Sequence, residues 1–229
     1  MKQDAALIKF LKCKAVWLRK ETLRIHKIAP ETRVASSLSA VEIFTVMYYG
    51  RILRFNPSDI SCEKRDRFII SKGHGAISLY PALADLGFFS KIELENVCKN
   101  GSHLGSIPDS SISGFETING SLGHGLGVGC GMALGLKKKR INSKVFVLLG
   151  DGELYEGANW EAIMFAAHHK LNNLILIVDN NKKCMLDYCK NVIDLYPLLK
   201  KFKSFNIKTK VVNGHSIVQL YAALKELKK

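Results

Sequence analysis

Nowhere in these 229 residues do apolar side chains run on long enough to cross a bilayer. The longest runs, 145–149 and 174–178, fall far short of the ~20 residues a membrane-spanning helix needs. The amino-terminal MKQDAALIKFLKCKAVWLRK interrupts its apolar residues with lysines, which argues against a signal peptide and predicts an amphipathic helix. The cysteines at 13, 62, 98, 130, 184 and 189 include no C-x-x-C pair. They read as reduced, structural thiols of a cytoplasmic protein, and Cys184 and Cys189 stand too loosely to suggest redox chemistry. No glycine is followed by lysine, so a Walker A loop is excluded, and no glycines meet the G-x-G-x-x-G spacing of a dinucleotide fold. Internal repeats are absent. Acids are few, 20 against 34 basic residues, for a net charge of +14. The basic runs at 137–140 and 182–183 and the scattered C-terminal lysines carry no interleaved aromatics, so they read as solvated faces and not as a nucleic-acid or membrane surface.

What is present alternates between two periodicities. Leu7, Phe10, Leu11, Val16, Leu18 and Leu23 predict a long first helix ending near residue 28, before Pro30. Ser39 is a candidate N-cap for a second helix, AVEIFTVMYYG. RFIIS (67–71), KVFVLL (144–149) and LILIVD (174–179) read as buried strands, the latter two joined by a helix, WEAIMFAAHHKL. KTKVVNG (208–214) reads as a further strand and SIVQLYAALKELKK as a final helix. Strands alternating with helices predict an α/β fold, a mostly parallel sheet flanked by helices, in one domain over 1–229. Segment 99–121 is long, polar and rich in Gly and Ser, a loop of functional length. Gly127, Gly131 and Gly135, four apart, predict close helix packing.

The chemistry gathers where 145–149 stops at Gly-Asp-Gly. Taken alone, Asp151 is a turn residue, a metal ligand or a catalytic acid. In a right-handed βαβ unit the two strands end on one edge of the sheet, so Asp151 should lie beside Asp179, Asn180 and Asn181. Gly150 and Gly152 allow a tight turn and close approach to a ligand. A carboxylate, an amide oxygen and a backbone carbonyl are hard donors of the kind Mg²⁺ accepts beside phosphate oxygens, and a helix N-terminus alongside favours the anion.

G-D-G with N-N at this spacing resembles the thiamine diphosphate signature, and the chain as a whole resembles the cofactor-binding half of a transketolase. RFIISKGHGAISLYPALADLG (67–87) is similar to the family segment whose histidine, here His74, touches the diphosphate and substrate region. ETINGSLGHGLGVGCGMALG (116–135) resembles the glycine-rich segment against the cofactor, centred on Gly120, Leu122 and His124. The resemblance implies thiamine diphosphate with Mg²⁺, or Ca²⁺ or Mn²⁺ in its place. It makes Asp151, Asn181 and the carbonyl of Lys183 the metal ligands, and puts Gly152 and Glu153 at the cofactor. Asp179 then lies near the thiazolium, His74 assists proton transfer, and Glu156 is the interface acid linking paired sites. The implied reaction carries a glycolaldehyde unit from a ketose to an aldose.

The chain ends at Lys229, where the family continues into a domain carrying the aminopyrimidine glutamate. The expectation is an α₂β₂ assembly with a separate carboxyl-terminal-half subunit. Two family histidine positions fall here on Arg33 and Ile107, which implies an unusual sugar. The Arg33 fork suits a carboxylate or phosphate, and His26 and His103 are nearby candidates for substrate contact. The alternatives are a 2-oxoacid-processing thiamine enzyme, which lacks the match to SKGHG, and a cofactor-binding scaffold, for which Asp151, Asn181, Glu156 and His74 together would be superfluous.

Overall fold

A computed structural model describes residues 2–228. In chain order the helices are α1 (Lys2–Ile28), α2 (Val34–Ser39), α3 (Val41–Tyr49), α4 (Leu79–Asp85), α5 (Gly125–Lys138), α6 (Gly157–His168), α7 (Cys189–Val192), α8 (Leu198–Ser204) and α9 (Ile217–Lys228). The strands are β1 (Arg67–Ile70), β2 (Val145–Gly150) and β3 (Leu174–Asp179), and short 3₁₀ turns lie at Gly73–Ser78, Lys91–Asn96 and Gly152–Tyr155. The chain forms two compact units. One comprises Met1–Arg65, Gly73–Gly120 and Val212–Lys229; the other comprises Asp66–Lys72 and Ser121–Val211.

The second unit holds the predicted α/β core. Its sheet has the order β1-β2-β3, parallel throughout. Central β2 is buried from Val145 to Leu149, which is why those residues read as an unbroken apolar run. Helix α5 lies on the sheet through Gly125 and Gly129. A β-carbon on Gly129 would come within 2.5 Å of a Val147 methyl, and one on Gly125 within 2.6 Å of Ser71. The predicted close packing therefore exists, but on these two glycines, since Gly127, Gly131 and Gly135 face open space. Helix α6 packs beside α5, and its Trp160 stacks on Phe202 of α8 at 5.8 Å and donates to the Leu154 carbonyl at 2.8 Å. The expected strand at 208–214 is irregular, with Val211 72% exposed and no ladder partner among the described residues.

The first unit is helical. Helix α1 buries Leu11, Ala15, Leu18, Thr22 and Ile25, a stripe at alternating steps of four and three that Ala29 continues just past its end. Of the predicted stripe, Leu11 and Leu18 lie on this face, whereas Phe10, Val16 and Leu23 are each at least 45% exposed. The prediction merged two helix faces. Ser39 is not the cap of α3: it ends α2, its hydroxyl donating back to the Ser36 carbonyl, and Ala40 stands at the junction without a side-chain cap. Helix α3 is buried from Val41 to Tyr48.

Candidate active site

In the sheet unit, β2 and β3 end in register, Gly150 opposite Asp179, and the Asp151 amide donates to the Asp179 carbonyl at 3.2 Å. The strand-end cluster expected from the sequence therefore forms. Asp151 caps the following 3₁₀ turn and is 4% exposed. Its Oδ1 accepts from the Gly152 amide at 3.0 Å, and its Oδ2 accepts from the Lys182 amide at 2.7 Å and the Tyr196 hydroxyl at 3.1 Å. Burial raises the Asp151 carboxyl above its ordinary value, these donors oppose the rise, and the neighbouring Asp179 charge adds to it. A buried carboxylate so placed favours a cation.

Asp179 is buried and paired with Lys72 Nζ at 2.5 Å, a lysine only 1% exposed. Glu153 is also buried. Its carboxylate accepts from the Gly123 amide at 2.9 Å, the Gly150 amide at 3.1 Å and the Ser71 hydroxyl, so it ties together three segments at the sheet edge. Burial pushes the Glu153 carboxyl upward against those bonds. Gly123, at φ +85°, lies under α6; a β-carbon there would come within 2.5 Å of the Glu156 β-carbon. Glu156 itself is exposed at the start of α6, and Leu122 is half-buried.

After β3 the chain folds back as a tight hairpin. Lys183 and Tyr188 form an antiparallel bridge, flanked by the Cys184 amide donating to Asp187 and the Cys189 amide donating to Lys182, each at 3.0 Å. Asn181 is exposed, and its Oδ1 accepts from the Lys183 amide at 2.9 Å. Buried Asp151, exposed Asn181 and the backbone of Lys183 thus stand on two adjoining strand ends. Their hard oxygens fit a small divalent cation carrying phosphate.

In the helical unit, His74 is half-buried on the 3₁₀ turn Gly73–Ser78. A β-carbon on Gly73 would come within 2.7 Å of Asn119, 3.2 Å of Ile107 and 3.3 Å of the Gly120 amide. The loop 99–121 therefore folds against the histidine-bearing turn. It is held there by the Tyr80 hydroxyl donating to the Gly105 carbonyl at 2.8 Å, and it is braced within itself by Asn119 Nδ2 donating to the Pro108 carbonyl at 3.3 Å. Gly120 is exposed at φ +125° and Ile107 is 44% exposed. Arg33 is exposed at the start of α2. His26 has a local partner, its Nδ1 bonded to the Thr32 hydroxyl, and burial lowers its ring's pKa. His103 lies 4.0 Å from the Glu93 carboxylate and edge-on to Phe89.

The profile of the transketolase thiamine diphosphate binding domain matches residues 29–229. The chain belongs to the transketolase family. The transketolase of Campylobacter jejuni shares its fold at a TM-score of 0.90 and 29% identity, over 96% of this chain and 36% of that one. The Homo sapiens transketolase is 36% identical over 230 residues, again across 36% of its length. The chain thus spans about a third of these transketolases. It spans far more of two shorter relatives. One of them, an apulose-4-phosphate transketolase subunit of Actinobacillus succinogenes, is 36% identical over 95% of this chain and 79% of that one. The other, a 6-deoxy-6-sulfo-D-fructose transketolase subunit of Clostridium sp., is 34% identical over 86% and 71%. Sequence reasoning missed Tyr196, Ser71 and Lys72 as supports of the transketolase strand ends. Lys72 sits inside the quoted KGHG segment, but nothing in the sequence pairs it with Asp179.

Proposed function

We propose that the chain is the diphosphate-binding subunit of a two-chain transketolase that transfers a two-carbon ketol unit from a ketose to an aldose. The observation that carries the reading is the register of β2 and β3, which sets buried Asp151 beside the segment bearing Asn181 and Lys183. Asp151, Asn181 Oδ1 and the Lys183 carbonyl would hold Mg²⁺, with Ca²⁺ or Mn²⁺ as substitutes. Gly152 would take the diphosphate, with Gly120 and Leu122 against the cofactor. Thiamine diphosphate, when bound, supplies the centre that stabilises a carbanion.

The chain's own residues bind and orient. Lys72 holds Asp179 as a buried carboxylate, and Glu153 fixes the strand ends. His74 is assigned to orienting the donor and moving a proton to or from it, and Glu156, exposed just before α6, to linking paired sites. A separate carboxyl-terminal-half subunit would bring the aminopyrimidine glutamate and complete an α₂β₂ assembly. The two relatives named as transketolase subunits support that division. Their substrates are a sugar phosphate and a sulfonated sugar, and Arg33 suits an anionic donor of that class.

Isothermal titration of thiamine diphosphate with Mg²⁺ tests the reading, into the chain alone and with its co-expressed partner subunit. The expected result is binding in the complex, followed by ketol transfer from a phosphorylated or sulfonated ketose. A folded protein that binds in neither state overturns it.

A further inference from the structure

Cys184 and Cys189, unremarkable in sequence, both lie against Gly152. They flank the bridge Lys183–Tyr188 on the hairpin that follows β3. Side chains alternate across such a ladder, so both cysteines fall on its same face. That face lies on Gly152. A β-carbon built on Gly152 would be 2.9 Å from the Cys184 β-carbon and 3.7 Å from the Cys189 sulfur, so both cysteines border one point. Cys189 is buried, its thiol against the Asp151 carboxylate, whereas Cys184 is half-buried and within reach of solvent. Cys13 and Cys130 lie on α1 and α5, Cys62 and Cys98 lie in connecting segments, and all six are free thiols.

We infer that Cys184 and Cys189 are a redox-active thiol pair that closes to a disulfide in the presence of a hydroperoxide, and that closure weakens cofactor binding at the strand ends. The Cys184 sulfur attacks the peroxide oxygen, giving a sulfenic acid and releasing water (or the alcohol). The Cys189 sulfur then attacks the Cys184 sulfur, and the departing hydroxide leaves as a second water with the Cys189 proton. Two thiols are oxidised, one peroxide is reduced, and a dithiol reductant reverses the change.

A disulfide draws its sulfurs to about 2.05 Å. Both half-cystines sit on the hairpin, which must twist to let them meet. That twist acts on the Lys183 backbone beside Cys184 and on the 2.7 Å bond from the Lys182 amide to Asp151. It also removes the Cys189 thiol from Asp151. The effect on binding rests on the proposed function; the closure of the thiol pair does not.

Cleavage after lysine releases both thiols in one peptide, 184–190, CMLDYCK. The reduced protein, with its partner subunit, is treated with hydrogen peroxide, alkylated, digested and weighed, and thiamine diphosphate with Mg²⁺ is titrated before and after. The expected peptide is lighter by two hydrogens and unalkylated, restored by dithiothreitol, and absent in Cys184→Ser and Cys189→Ser. Binding of the oxidised protein is expected to weaken by about tenfold, the size of other losses around metal ligands, and to recover on reduction. Cys184→Ser should bind as the reduced protein does and ignore peroxide. A peptide that only gains oxygens, or cysteines that both stay alkylated, overturns the thiol pair. A closed disulfide with unchanged affinity overturns the control of binding. Failure of the reduced protein to bind would sink the functional reading, and with it that control, while the peptide mass still decides the pair.

Discussion

Asp151 accepts three hydrogen bonds in the candidate site, and two of the donors, Lys182 and Tyr196, come from far along the chain. Tyr196 bridges it to Asn180, with its hydroxyl 3.1 Å from Asp151 and 2.7 Å from the Asn180 side chain. Both partners are acceptor oxygens, Asp151 Oδ2 and Asn180 Oδ1, so the single hydroxyl proton serves one of them at a time. Tyr196→Phe is expected to leave the fold intact and weaken Mg²⁺-dependent binding of thiamine diphosphate by about tenfold, by calorimetry. Lys72→Met should do different damage. It removes the buried cation facing the Asp179 carboxylate, and losing one partner of such a pair costs about 3–5 kcal/mol; a denaturant titration of the apo protein checks it. Asp151, Gly152 and Asn181 were legible because strand ends announce themselves. Tyr196 and Lys72 were not, since each meets its partner across tens of residues without a local pattern.

At the scale of elements, helix α5 carries a direct test of why its glycines are there. Gly129→Val drives methyls into Val147 and is expected to cost about 1–3 kcal/mol or more through overpacking. Gly131→Ala meets open space, and alanine favours a helix over glycine, so the isolated chain should gain about 0.5–1 kcal/mol. Thermal melts of the two variants should move in opposite directions. All three strands were legible because the core runs without interruption. The stripe of α1 was only half legible, because its apolar residues occupy two faces and only packing selects one. The segment 208–214 misled because Thr209, Val211 and Val212 are β-branched like strand residues, yet it finds no ladder among the described residues.

For the whole molecule, acid is the informative stress. Asp85 ends α4 and accepts from Lys14 at 2.5 Å, Tyr49 at 2.9 Å and Lys91 at 2.9 Å, so α1, α3 and α4 converge on one carboxylate. Burial works to raise its pKa, but those donors outweigh it and hold the group at about 2, against an ordinary 3.8. A depressed carboxyl stabilises the fold fully above its unfolded value and loses that contribution as pH falls through the folded one. Stability should therefore drop between about pH 4 and pH 2, and Asp85→Asn should flatten that limb in melts taken across the range.

The helical unit is assembled from three separate stretches of chain, and its last piece, α9, packs on α1 and α3. During synthesis, α1 and α3 emerge first and must wait for nearly the whole of the remaining chain before their neighbour exists. Until the ribosome releases residues 217–228, the α3 surface that α9 will cover has only solvent or a chaperone against it. The order in which this protein can finish folding is therefore written into its threading: the sheet unit, closed by residue 211, can complete first, and the helical unit must complete last.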